Sequence, residues 1–352
     1  MKVQEILQFL VDNDGSDIHI IPESPLSIRI NGVLSFPAGP QLLKADQAQA
    51  WIFDLLSDKQ QAQLKEEKEI DLAYQFNEWA RFRICVYQHL GSYAAALRLI
   101  PQTIRTVDEL ALPQVFHKFG TYKQGLVLFT GPTGEGKSTS LAAIIDEINH
   151  TQSQHILTIE DPVEFVYQSD KSVVSQREVG KDTHQWELAL RSALRSDPDV
   201  VLVGEMRDLE TISSTLTLAE TGHLVFATIH TNTAAQTIDR IIDVFPSHQQ
   251  GQIRQQLASV LKAVVSQRLV PKIHGGRTAA IELLFNNAAV ANLIRDQKVF
   301  QIDSIIQTNV VAGMMLMESH LLDLHKQNVI SKETALNYAF RPTDMLRLLE
   351  EE

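Results

Sequence analysis

Gly131-Pro132-Thr133-Gly134-Glu135-Gly136-Lys137-Ser138 fits the pattern G-x-x-x-x-G-K-[ST]. With a strand before it and a helix after it, that spacing makes a phosphate cradle. Both are expected here: an apolar strand over Leu126–Thr130 and a helix over Ser138–His150. Gly131, Gly134 and Gly136 let backbone N–H groups close around a phosphate, and the helix N-terminus adds partial positive charge. Thr133 and Thr139 belong to the same cradle. Lys137 has the reach for β- and γ-phosphates, and the Ser138 hydroxyl can ligate Mg²⁺. ATP and Mg²⁺ are therefore the expected cofactors. Glu135 puts a carboxylate in an anion site. Its side chain is expected to point to solvent; the alternative is that its charge weakens nucleotide affinity by repulsion.

A γ-phosphate site also needs an acid on the Mg²⁺ side and a carboxylate that orients or deprotonates water. Ligands of a wound sheet sit beyond the carboxyl ends of its strands. Three apolar runs end in suitable groups. His155–Ile159 leads to Glu160, Asp161 and Glu164. Val200–Val203 leads to Glu205. Leu224–Ile229 leads to His230 and is preceded by His223. The four acids are the supply of metal ligands and base, and His230 is either a packed histidine or a phosphate sensor.

Those runs are short and almost fully apolar, and helical stretches separate them (Ser138–His150, Gln185–Arg195, Asp208–Glu220). Strands buried on both faces that alternate with helices predict a mainly parallel, wound α/β sheet. Gln249–Val265 reads as a further helix with an apolar stripe at Leu257, Val260, Leu261 and Val264, and the last 60 residues read as mostly helical. Residues 1–100 differ in style. Ile18–Ile21, Ser27–Leu34 with the Asn31-Gly32 turn pair, Asp71–Phe76 and Arg81–His89 read as strands, and Gln47–Lys68 as one helix. That is a small α+β unit with a mostly antiparallel sheet. The expected division is 1–100 for this domain, 101–113 for a linker, 114–285 for the ATPase core and 286–352 for a C-terminal helical region.

The chain has 352 residues and a net charge of −12, which argues against a general nucleic-acid coat. No basic, aromatic strand-binding stretch is present, so no nucleic-acid partner is expected. Cys85 is the only cysteine, which excludes an internal disulfide framework and a cysteine-cluster zinc site and fits a reducing compartment. Met1–Gly15 lacks the apolar core of a signal peptide, and no run approaches the ~20 apolar residues of a spanning helix. The expected location is cytoplasmic, with any membrane contact peripheral.

Longer blocks resemble a known family. Thr158–Glu164 is similar to the Asp box of the secretion and type IV pilus ATPases. Arg177–Gly180, Ala189–Val200, Val203–Thr211 and Ala219–Thr231 resemble its Walker B and His-box blocks, and Ile238–Pro246 and Ser266–Lys272 continue the match. The likeness covers nearly the whole chain and is densest from 120 to 285. It implies a RecA-like P-loop domain preceded by a PAS-like domain. It implies Lys137 and Ser138 as phosphate and Mg²⁺ ligands, Glu164 as catalytic base, and Glu205 as the Walker B acid holding Mg²⁺ or its water. His223 and His230 become the residues that link nucleotide state to structure. It also implies a homohexamer with ATP between subunits, and Arg81, Arg83 and Arg98 as candidates to reach a neighbour's site.

Within that superfamily the chain most resembles the type IV pilus retraction branch (the PilT family). Ser16–Ile20 is similar to its N-terminal Ser-Asp-Leu-His-Leu, Leu322–Ala335 is similar to its ending, and the four-cysteine zinc element of the assembly and secretion branches is absent. The branch's Ala-Ile-Arg-Asn-Leu-Ile-Arg motif becomes Ala289–Arg295 here, with Ala291 in place of its first arginine. Met314–Met317 also differs from the branch, and core packing is its expected role. The implied function is pilus retraction at the cytoplasmic face of the inner membrane, acting on a membrane platform protein and possibly beside a paralogous pilus ATPase. The alternatives are a nucleotide-gated accessory paralogue and an assembly or type II secretion ATPase.

Overall fold

The computed structural model describes residues 2–13, 15–30, 32–77, 80–100 and 103–351. The chain divides into two compact units. The first contains residues up to 103 together with 164–166, and the second contains 104–163 and 167 onward.

In the first unit, six strands form one sheet: β1 (Gly15–Ile20), β2 (Ser27–Ile30), β3 (Val33–Ser35), β4 (Glu69–Asn77), β5 (Ala80–His89) and β6 (Ser92–Ile100). Their order is β3-β2-β1-β6-β5-β4, and every neighbouring pair is antiparallel. The stretch read as Ser27–Leu34 is a hairpin. Gly32 turns it at φ +82°, and Asn31 lies outside the described residues. β6 escapes sequence reading because its turn, Leu90-Gly91, carries no Asn-Gly signal, yet both residues take positive φ (47° and 82°). That is the geometry of tight hairpins. The helix expected over Gln47–Lys68 is two helices, Ala45–Asp54 and Asp58–Glu67. Ser57 starts the second with a reciprocal capping box to Gln60, which ends the periodic run that the apolar spacing alone suggested. A further helix, Val3–Asp12, buries Val3, Ile6, Leu7 and Leu10, one face at 3.6-residue spacing.

The second unit is built on seven strands: β7 (Gly125–Thr130), β8 (His155–Glu160), β9 (Val173–Glu178), β10 (Val200–Val203), β11 (Leu224–Ile229), β12 (Leu261–Pro271) and β13 (Arg277–Phe285). The order is β13-β12-β7-β11-β10-β8-β9, parallel from β12 to β9 with β13 antiparallel at one edge. The α/β class with a mainly parallel sheet is therefore as expected. β7, β10 and β11 are buried at every position, which is why their sequences are unbroken apolar runs. The helix read over Gln249–Val265 stops at Val260, and Leu261 opens β12. Leu261 to Val265 pairs with β7 on one side, and Ala263 onward with β13 on the other. Burial between two strands overrides the helical spacing at Leu261 and Val264. The described part of the last 60 residues is mostly helical, with helices at Ala288–Arg295, Ile302–Thr308, Met317–Lys326, Lys332–Tyr338 and Pro342–Glu350. Residues 104–113 group with this unit and bury Val107 and Leu112, while Pro101 and Gln102 of the expected linker lie outside the described residues. Met314 and Met317 are buried in the core.

Candidate functional site

The loop Gly131–Gly136 joins β7 to the helix Lys137–Thr151. At Gly131, φ is +141° and a Cβ would meet the Gln267 carbonyl oxygen at 2.4 Å, so only glycine fits. Gly136 precedes the helix in the left-handed conformation, and no side chain caps the first turn. The helix's leading N–H groups therefore face the loop, as an anion site requires. Lys137 is 7% exposed, and its Nζ donates to the carbonyl oxygens of Gly131 (2.7 Å) and Pro132 (2.8 Å). Those bonds offset the cost of placing an ammonium there. Thr133 and Gly134 are exposed at the loop tip, and Ser138 and Thr139 are half-buried at the helix start.

Glu135 does not point to solvent. Its Oε2 accepts the Leu269 N–H at 2.5 Å, and its carbonyl oxygen accepts Gln267 Nε2 at 2.7 Å. β12 runs on past its last pairing with β7, Ser266 with Thr130. The Glu135 carboxylate takes the place of a neighbouring strand for one N–H of the overhanging edge, and its carbonyl holds the Gln267 side chain. Gln267 completes the support: its Oε1 accepts Ser140 Oγ at 2.8 Å. One side chain thus ties the loop to the first turn of the following helix.

Glu205 follows β10. Its carboxylate lies 2.8 Å from the Arg207 guanidinium and 3.1 Å from His230 Nε2. Burial alone would raise its pKa, but the hydrogen bonds and charges of Arg207 and His230 outweigh that and hold it below the ordinary carboxylate range. His230 Nδ1 is 3.2 Å from the Gly131 carbonyl oxygen. The ring therefore spans the P-loop and the acid. Both neighbours are acceptors, so a singly protonated ring satisfies one and an imidazolium both. Arg207, Ile212 and Arg240 line a pocket beside Glu205 and His230.

Not every candidate joins this frame. Glu160 closes β8 and is buried, and its carbonyl oxygen accepts the Val179 N–H at 2.9 Å. Asp161 is exposed before a cis Pro162. Glu164 is exposed and groups with the first unit. His223 sits at the opposite end of β11 from His230, a strand length of about 20 Å away. Its Nδ1 is 2.9 Å from the Leu218 carbonyl oxygen. Arg81, Arg83 and Arg98 lie on one face of the first unit's sheet, with Arg83 directly across from Arg98. Arg83 holds Asp71 with two nitrogens (Nε at 3.0 Å and Nη2 at 2.5 Å), and Arg98 Nε reaches Asp17 at 3.0 Å.

A profile of the family described as Type II/IV secretion system protein matches residues 1–344. The chain belongs to that family. The type IV pilus retraction ATPase PilT of Pseudomonas aeruginosa is 46% identical over 97% of this chain and 99% of its own length. A twitching motility protein of Neisseria gonorrhoeae is 46% identical over 88% of this chain and 82% of its own. The crystal structure of the pilus retraction motor PilT with bound ADP superposes with a TM-score of 0.90 at 45% identity, covering 99% of both chains.

In this type II/IV secretion family chain, Gln267, Arg207 and Arg240 also meet the site, and no motif spacing singles them out. Gln267 sits within the Ser266–Lys272 block, whose likeness to the family implies no role for any single residue. Its signal is a polar pair, Ser266-Gln267, inside a strand otherwise apolar from Ala263 to Val270 save for Arg268.

Proposed function

We propose that the chain is the ATP-hydrolysing subunit of a homohexameric motor that retracts and disassembles type IV pili. One observation carries this reading. The P-loop carbonyl of Gly131, the His230 ring and the Glu205 carboxylate form one hydrogen-bonded frame, so a change at the phosphate cradle is felt at the acid and at the end of β11. The named relatives supply the kind of work.

The uncapped helix and the glycine loop bind the phosphates. Lys137 exchanges its two carbonyl partners for phosphate oxygens. Glu164 takes a proton from the attacking water. Among the described residues no three His, Cys, Asp or Glu side chains converge as a metal cage. Mg²⁺ fits here as it usually does, on one or two protein oxygens plus substrate phosphates. Ser138 and Glu205 would hold it, with Glu160 and Asp161 nearby in sequence, and it would neutralise charge on the phosphates. His230 reads the state of the cradle, and His223 serves at the other end of β11. Arg81, Arg83 and Arg98 are the groups offered to a neighbouring subunit's site. The motor works at the cytoplasmic face of the inner membrane on a pilus platform protein. Among the described residues no helix is long and apolar enough to cross a membrane.

Steady-state ATP turnover with Mg²⁺ tests the chemistry. Lys137→Ala is expected to lose nucleotide binding and turnover. Glu164→Gln is expected to keep binding and lose about 10²–10⁴-fold in kcat, the usual worth of a general base. Parental turnover in Glu164→Gln would remove it as the base. Negligible turnover of the parent at saturating ATP, with binding retained, would replace the motor by a nucleotide-gated accessory subunit.

A further inference from the structure

Far along the chain from the P-loop, three acids converge on one guanidinium. Arg341, just before the last helix, contacts Glu282 of β13 at 3.1 Å and Glu318 at 3.1 Å, and also Asp303. Its backbone N–H donates to Glu318 Oε1 at 2.7 Å. Glu282 is fully buried and Glu318 is 2% exposed. The other oxygen of Glu282 accepts the Ala234 N–H at 2.9 Å. Ala234 is the first residue of the helix Ala234–Asp243, four residues after His230. A second contact runs beside the first. Arg268 stacks over the Phe340 ring at 4.9 Å and reaches Asn232 Oδ1 at 3.4 Å. Two adjacent C-terminal residues therefore hold two positions of the four-residue segment that leaves His230.

We infer that Glu282 and Arg341 form a clamp that positions the His230 segment, so that ATP turnover depends on C-terminal helices outside the nucleotide frame. The inference rests on the reading of His230 given above. Burial pushes the Glu282 carboxyl up to about 7, so its ionised form depends on the Arg341 charge and the Ala234 N–H. Losing either partner strands a buried acid, and the segment it holds loosens. Both residues are positioning residues.

The test is a double-mutant cycle on the full chain, reading ATP turnover and the dissociation constant of a fluorescent ADP. Glu282→Gln keeps an acceptor for Ala234 but loses the ion pair. Assayed at pH 8, where Glu282 is ionised, it is expected to lower kcat about tenfold with the dissociation constant within about twofold, and His230→Ala combined with it is expected to turn over like His230→Ala alone. Parental kcat in Glu282→Gln, or effects that multiply in the double variant, would overturn the clamp. Should Glu282→Gln not fold, Arg341→Lys, which keeps the charge but not the planar fork, enters the same cycle with the same criteria. Parental turnover in His230→Ala would instead sink the His230 reading. The clamp is then decided by amide hydrogen exchange at 232–237 in Glu282→Gln, where faster exchange supports it and unchanged exchange overturns it.

Discussion

Glu135 looks misplaced in a phosphate loop until its partner is named. A carboxylate beside an anion site should repel nucleotide, but this one accepts the Leu269 N–H on the overhang of β12. The same overhang receives the Glu135 carbonyl through Gln267. Glu135→Ala leaves that N–H half-buried without its acceptor, a loss of about 1–3 kcal/mol. Denaturant unfolding is expected to show that loss, with a smaller effect on ADP affinity than on stability. An unchanged midpoint would mean that the bond contributes nothing. The glycines, lysine and serine of the P-loop were legible in the sequence because the motif is local and its chemistry is set by spacing. Gln267 was not legible, because it meets the loop from more than a hundred residues away.

The elements follow the same division. β7, β10 and β11 were readable as strands because burial on both faces leaves an unbroken apolar run. β9, Val173–Glu178, has only one strand neighbour and mixes polar residues, so its pattern carries no such signal. Leu261–Val265, the start of β12, reads as the end of a helix because Leu257, Val260, Leu261 and Val264 fall at helical spacing. Ala291, where the retraction branch has arginine, sits on the packed face of helix Ala288–Arg295 at 7% exposure. The packing of β13 on the C-terminal helices has a signature in pH. Glu282 faces Arg341, Asp303 and Glu318, and burial raises it from 4.5 to about 7. The folded chain then holds more protons than the unfolded chain between those values. Its contribution is full below pH 4.5 and is lost as pH rises through about 7. His320 accepts the N–H of the preceding β13 residue, Ile281, at 2.9 Å, and burial lowers it from 6.5 to about 4, opposed by Asp323. Its contribution is full above pH 6.5 and is lost as pH falls towards 4. Glu282→Gln removes the first slope and leaves the second. The variant's melting temperature is expected to rise more steeply than the parent's from pH 4.5 to 6.5, and parallel curves would contradict the raised carboxyl.

At the scale of the whole molecule, composition bounded the answer and the fold made it specific. A net charge of −12 is compatible with many roles, and a lone cysteine excludes a cysteine-cluster zinc element without naming a function. The unequal units give those numbers a context. The second unit carries the nucleotide frame and its C-terminal clamp. The first presents a sheet face where Arg83 and Arg98 are already engaged by Asp71 and Asp17. An arginine offered to a neighbour from that face must give up or share an acid, which the exposed Arg83–Asp71 pair allows at low cost. Deleting the gene and imaging surface pili shows whether ATP hydrolysis by this chain retracts them. Complementation would use either the parent chain or Lys137→Ala. Hyperpiliated, non-twitching cells that the parent chain restores and Lys137→Ala does not are expected. Bald cells, or full rescue by Lys137→Ala, would contradict retraction by this chain.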